Sequence, residues 1–419
     1  MRILTLCYEF PPIGGGGARV AYGLARELVR SGEEVDLVTT RFGGLRALER
    51  VDGVQVHRVR ALRSRECAST PIELASYVTA ALPAALRLVR SRRYDINHTH
   101  FIFPDGIVAY ALWRRTGLPY VITAHGSDVP GYNPERFGYI HHALAPLWRT
   151  IVRHAAGLVC SSESLRTLVR ARHAGLDPIL IPNGIDPERF CPDREKRRRV
   201  LVVSRMVERK GVQYLLDALQ GVDTGYEVHI VGDGPYLSAL REQADQLGVP
   251  VCFHGWLDNG SRELRTLYEE SSIFVLTSES ENFPIVLLEA MTAGMAIITT
   301  ASTGCAEVVG DAAELVPPRD SVALRTALVA LMGDPERRRR LGMAARRQLE
   351  ERFSWQAVAR EYVRCYERVV PYVADPLRFP VALPSAGAGY RMPAERRTPH
   401  ATPELAGRPE IGRRGHAAT

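Results

Sequence analysis

Two carboxylates, Glu281 and Glu289, stand with seven residues between them within 278–294 (SESENFPIVLLEAMTAG). A short apolar run, 273–276 (IFVL), precedes them. Pro284 is followed by apolar residues at helical spacing, and Gly294 supplies a stop. The pattern predicts strand, loop and helix, with Glu281 in the loop and Glu289 a turn or two into the helix. In an open parallel sheet, ligands bind at the strands' carboxyl ends, where a helix N-terminus favours an anionic group. A carboxylate beside such a terminus is suited to hydroxyls: it accepts their hydrogen bonds while backbone N–H groups and basic side chains take phosphate. The same spacing also suits a solvated loop acid followed by a helix-surface acid.

Basic partners are available. The stretch 204–211 (SRMVERKG) follows a predicted strand at 200–203, which puts Arg205 and Lys210 where a pyrophosphate would be held. An arginine fork and a lysine point charge neutralise a departing diphosphate without a metal. The chain has 54 basic residues, of which only Lys196 and Lys210 are lysine, so each lysine carries information. A solvated loop is the plainer account. Near the N-terminus, Gly14, Gly15, Gly16 and Gly17 lie between a strand at 2–7 and a helix at 18–29. Bare backbone there can approach an anion closely, or simply make a tight turn. The loop is neither a dinucleotide fingerprint nor a P-loop. His125, in 124–128 (AHGSD), ends the predicted strand 119–123, a position where chemistry concentrates in this fold class. His98 and His100 alternate on a strand with no third ligand pattern, and no DxD pair occurs, so no metal is expected.

Strands and helices alternate twice along the chain, with the charged, proline-containing 186–199 as the linker. This predicts an α/β protein of two Rossmann-like domains facing each other across a cleft. The domains are 1–190, completed by a crossing helix at 354–370, and 191–353. The Pro-, Gly- and Arg-rich 371–419 is expected to be a disordered tail. Helical pattern over 71–93 is expected to break at Pro83. Its basic end suits ordinary core packing, or alternatively rest on an anionic membrane. The residues 131–142 (GYNPERFGYIHH) read as an N-terminal loop facing an acceptor. Hydrophobic content of 46% and a net charge of +7 describe a mildly basic globular chain with no tract dense enough for nucleic acid. Seven scattered cysteines without a CxxC pair fit a reduced cytoplasm better than a disulfide framework or zinc site. The apolar runs stop short of spanning length.

The motifs together resemble the retaining nucleotide-sugar glycosyltransferases of GT-B architecture, family 4. They are, in order, GGGG at 14–17, TAHGSD at 123–128, IPNGID at 181–186, VSRMVERKG at 203–211, VGDGP at 231–235, ENFPIVLLE at 281–289, and GCAEVV with LVPPRD within 304–320. The resemblance covers about 1–370. It implies transfer of a hexosyl unit from a UDP- or GDP-sugar to a hydroxyl of a lipid-linked glycan, cell-wall polysaccharide or small metabolite. No cofactor beyond the donor is implied. Arg205 and Lys210 would hold the diphosphate, Glu289 the ribose, and Glu281 the donor sugar. Backbone of Phe283, Pro284 and Ile285 would touch sugar and phosphates. His125 would lie over the sugar, and Gly14 to Gly17 would close on the phosphates or border the acceptor. The setting implied is cytoplasmic, with peripheral contact at the inner face of the plasma membrane as an option. Where the family often has a glycine pair, this chain has 302–307 (STGCAE). Epimerisation or hydrolysis of a sugar nucleotide, and non-catalytic binding of one, are the rival readings.

Overall fold

The computed structural model describes residues 1–370 apart from Cys67, Asn133 and Thr224, with backbone only for 134–138, 140 and 303. The tail at 371–419 lies outside the described residues.

One parallel sheet, with a single antiparallel edge strand, occupies the first half of the chain. Its strands are β1 (Arg2–Leu6), β2 (Glu34–Thr40), β3 (Leu48–Val51), β4 (Val54–Val59), β5 (Ile96–His100), β6 (Tyr120–Ala124), β7 (Gly157–Cys160) and β8 (Ile179–Leu180), in the order β3-β4-β2-β1-β5-β6-β7-β8. Helices α1 (Gly16–Arg30), α2 (Pro71–Ser91), α3 (Asp105–Thr116), α4 (Pro134–His154) and α5 (Glu163–Arg172) connect them. The central strands are buried along their length, as crossover helices on both faces require.

A second, fully parallel sheet has the order β11-β10-β9-β12-β13-β14. It is built from β9 (Arg197–Val203), β10 (Glu227–Val231), β11 (Cys252–Gly255), β12 (Ser271–Leu276), β13 (Ala296–Thr300) and β14 (Glu314–Val316). Its helices are α6 (Val212–Leu219), α7 (Leu237–Leu247), α8 (Arg262–Glu270), α9 (Ile285–Thr292), α10 (Thr303–Val309), α11 (Ser321–Gly333) and α12 (Pro335–Arg352). In both sheets the order reverses beside a central strand, which leaves a switch point at the carboxyl ends. The doubly wound expectation is borne out.

The last helix, α13 (Trp355–Val369), returns to the first lobe. Trp355, Val358, Ala359, Tyr362, Cys365, Tyr366 and Val369 complete a core with α1 and the underside of β1, β2 and β5. The indole of Trp355 sits where a Cβ on Gly23 or Gly184 would stand, 2.2 and 2.5 Å from its ring atoms. Where the chain passes between lobes, its two crossings pair: Ile185 donates its N–H to the Phe353 carbonyl at 2.8 Å, and Trp355 donates to Ile185 at 3.2 Å.

Two expectations fail. Helix α2 runs unbroken through Pro83, because that residue lies on the exposed side and water can serve the carbonyl it leaves unpaired. Thr70 and Glu73 start the helix with a capping box. The expected 131–142 loop is helical from Pro134 onward, as the first turns of α4.

Candidate active site

The acidic motif and the basic loop meet at the carboxyl ends of β9 and β12. Gly211, at φ +70°, lets the basic loop approach so closely that a Cβ would lie 2.2 Å from the Thr277 carbonyl oxygen. The Thr277 hydroxyl donates to the Lys210 carbonyl at 3.1 Å, and Glu279 donates its N–H to Arg209 at 3.0 Å. Those contacts deliver the Lys210 ammonium to the Glu281 carboxylate, with which it is ion-paired and half-buried. Arg205 is exposed on the same loop. The other lysine proves structural: Lys196 donates to the carbonyls of Glu269 and Ala293, each at 2.7 Å, closing the ends of α8 and α9. Burial lowers its pKa to about 8.

Glu289 is on α9, as its position in the sequence predicts, but it is no surface acid. Only 3% of its side chain is exposed. The Tyr268 hydroxyl donates to it at 2.8 Å, Arg189 pairs with it at 3.0 Å, and Arg19 of α1 approaches to 3.8 Å. Buried carboxylates require such partners. Pro284 is the N-cap residue of α9, with no side-chain cap. Phe283 stacks edge-on against Phe353 at 5.6 Å. Ile285 packs against the cores of both lobes.

On the facing lobe, His125 follows β6. Its Nε2 lies 3.2 Å from Nδ1 of His100, and its ring stacks against that of His100 and tilts over Phe101. The Asp128 carboxylate accepts from the backbone N–H groups of His125 and Ile102 at 2.9 and 2.8 Å, fixing the turn. Burial lowers the His125 pKa to about 3, so the ring is neutral. In the glycine loop, α1 begins at Gly16. Gly14 has φ +104°, and a Cβ on Gly17 would strike Phe101 at 2.3 Å, whereas Cβ positions on Gly15 and Gly16 are open. The buried Glu9 carboxylate accepts backbone hydrogen bonds from Gly15 and Ala18 and so already occupies part of that helix terminus. Its burial raises its pKa.

Two residues that tie the lobes together, Asn282 and Glu307, escaped the sequence reading. The Asn282 amide donates to the His125 carbonyl at 3.3 Å and to Ser161 at 3.1 Å, and its oxygen accepts from Ser162 at 2.6 Å. Glu307 accepts the N–H groups of Glu163 and Ser164, at 2.6 and 3.0 Å, capping α5 from the other lobe. Gly304 backs this contact, since a Cβ would lie 1.8 Å from the Asn282 carbonyl oxygen. Asn282 stood in the acidic motif as a spacer, and Arg189 in the supposed linker. Only their charge and hydrogen-bonding type marked them.

Two parallel α/β lobes that meet through loops at their strands' carboxyl ends make up the GT-B architecture. Residues 14–189 match the Glycosyltransferase Family 4 domain, and 187–348 match Glycosyl transferases group 1. A glycogen synthase of Mycobacterium tuberculosis is 29% identical over 87% of this chain and 94% of its own length. Among solved structures, sucrose-phosphate synthase from Thermosynechococcus elongatus superposes with a TM-score of 0.76 at 22% identity, covering 89% of this chain and all of that one. Anabaena HepE in complex with UDP and glucose gives 0.68 at 18%, over 88% and 99%. The chain belongs to the group 1 glycosyltransferases and is an enzyme of that family.

Proposed function

We propose that the chain moves a hexosyl unit from a UDP- or GDP-sugar to an acceptor hydroxyl with retention of anomeric configuration. The observation that carries this is the Lys210–Glu281 pair, set opposite His125 by Asn282. An arriving diphosphate competes with Glu281 for the ammonium. That exchange leaves the phosphate on Lys210 and Arg205 and frees the carboxylate to accept hydrogen bonds from sugar hydroxyls. Glu289 receives the ribose hydroxyls in place of the Tyr268 hydroxyl or a guanidinium. Backbone N–H groups around Phe283, Pro284 and Ile285 add the helix dipole. Gly15 and Gly16, with open space above them, border the phosphates or the acceptor. HepE's bound UDP and glucose support a sugar nucleotide as donor.

Charge neutralisation by Arg205 and Lys210 lowers the barrier to loss of the diphosphate. The leaving phosphate takes the acceptor proton on the same face of the sugar, so no protein nucleophile is required. Lobe contact at Asn282 excludes water and positions the acceptor.

The test is incubation with UDP- and GDP-hexoses and a mixed acceptor panel, followed by mass spectrometry and NMR of the product. A glycosylated acceptor with the donor's anomeric configuration, formed at a rate unchanged by added Mg2+ or Mn2+, is expected. An inverted product, strict dependence on those ions, or an altered donor with no glycosylated acceptor contradicts the proposal.

A further inference from the structure

At the free edge of the second sheet, away from the Lys210–Glu281 pair, three metal-binding side chains converge. Strands β10 and β11 run parallel with His229 opposite Cys252. His254 lies two residues beyond Cys252, at the irregularity where the pairing shifts from Ile230–Phe253 to Val231–Gly255. One ligand atom from each of the three lies within 4.8 Å of the other two.

The hydrogen bonds around the two rings are more telling than their proximity. His229 Nε2 meets the Glu227 carboxylate at 3.2 Å, and His254 Nδ1 meets that of Glu263 at 2.9 Å. An ionised carboxylate only accepts, so both of those ring nitrogens carry their proton. The remaining nitrogens, His229 Nδ1 and His254 Nε2, face each other at 2.9 Å. In two neutral rings both are then lone pairs, which repel unless a proton or a metal ion lies between them. Each imidazole is oriented by a carboxylate on its outer nitrogen and directs its inner nitrogen at a common point, as metal-bound histidines are. Opening the two nitrogens to about 3.3 Å gives the separation that two ~2.0 Å bonds at a tetrahedral centre require, with the Cys252 sulfur as third ligand.

We propose that His229, Cys252 and His254 bind one zinc-class divalent cation, with Glu227 and Glu263 as orienting partners and water in the fourth position. Two imidazoles and a thiolate in a tetrahedral set select zinc over magnesium or calcium. Arg199, which also donates to Glu227 at 3.1 Å, holds that carboxylate in place. The ion staples the edge strand β11 to β10 and, through Glu263, to α8. Edge strands are where a sheet most needs such protection. The sequence concealed the site because His229 lies on a different strand and the ligand set exists only once β10 and β11 pair.

The test is titration of untagged, chelator-stripped full chain with Co2+, a spectroscopic stand-in for zinc. One equivalent should produce a thiolate-to-cobalt charge-transfer band and intense visible d–d bands, both displaced by Zn2+. Cys252→Ser should abolish the charge-transfer band with an unchanged circular dichroism spectrum, while Cys191→Ser, altering the other exposed cysteine among the described residues, should keep it. His229→Gln and His254→Gln should each lose tight binding, and Glu227→Gln should weaken it about 10- to 100-fold. No charge-transfer band in the unaltered chain, or a band that persists in Cys252→Ser, overturns the site.

Discussion

Lys210 and Glu281 hold each other in the absence of donor, so removing either affects more than one charge. Lys210→Ala should lower kcat about 10²- to 10³-fold, the usual effect of deleting a group that stabilises developing charge, with a lesser fall in melting temperature because the largely buried Glu281 loses this partner. Steady-state kinetics beside a melting curve checks this, and an unchanged kcat would remove Lys210 from the chemistry. Much of this residue-scale site was legible. Glu281, Glu289 and Lys210 sit on local strand-loop-helix patterns, so their positions follow from residues close in sequence. The burial of Glu289 was not, since Arg189 and Tyr268 reach it from segments whose own patterns are silent about direction. Nor was Glu9 beneath the glycine loop. A buried acid beside an aromatic looks, in sequence, like any strand-end residue.

The elements β5 and β6 carry a pH dependence. Burial holds His98 and His125 near pKa 3, and burial with neighbouring imidazoles holds His100 well below its ordinary 6.5. The unfolded chain takes up these protons below about pH 6.5 and the native chain does not, so stability is fully present above that value and is lost as the pH falls towards 3. Three such groups contribute up to roughly 4 kcal/mol per pH unit. The carboxyls of Glu9, Asp105, Asp128 and Glu307, whose pKa values burial raises, act in the opposite sense. Urea midpoints measured from pH 7.5 to 5 should fall less, or rise more, in His98→Gln than in the unaltered chain. A His98→Gln profile parallel to that of the unaltered chain would contradict a buried neutral ring at His98. The strands themselves were readable from short apolar, β-branched runs. Helix α2 through Pro83 and the start of α4 at Pro134 were not, because proline and glycine signal a local break whose cost depends on solvent at that point.

Across the whole molecule, α13 and the Asn282 and Glu307 contacts join the lobes. Gly23→Val places methyl groups in the Trp355 indole, and overpacking of this kind costs about 1–3 kcal/mol. A lowered melting temperature is expected, and an unaltered one would show that α13 is not seated there. Asn282→Ala with Glu307→Gln removes hydrogen bonds that span 120 or more residues of sequence. Small-angle scattering should show a larger radius of gyration for the double variant without ligand; an identical radius would mean that these contacts do not hold the lobes closed. Such contacts have no local signature, which is why two α/β halves were apparent from alternation while the residues joining them were not.

The proposed transfer requires the second lobe to grip a sugar nucleotide by its diphosphate through Arg205 and Lys210. Isothermal titration of UDP, GDP, ADP and TDP into the unaltered chain, Arg205→Ala and Lys210→Ala measures that grip. UDP or GDP should bind at one site per chain, with affinity reduced tenfold or more in each variant. If no diphosphate binds, or if the variants bind as tightly as the unaltered chain, the proposal is contradicted.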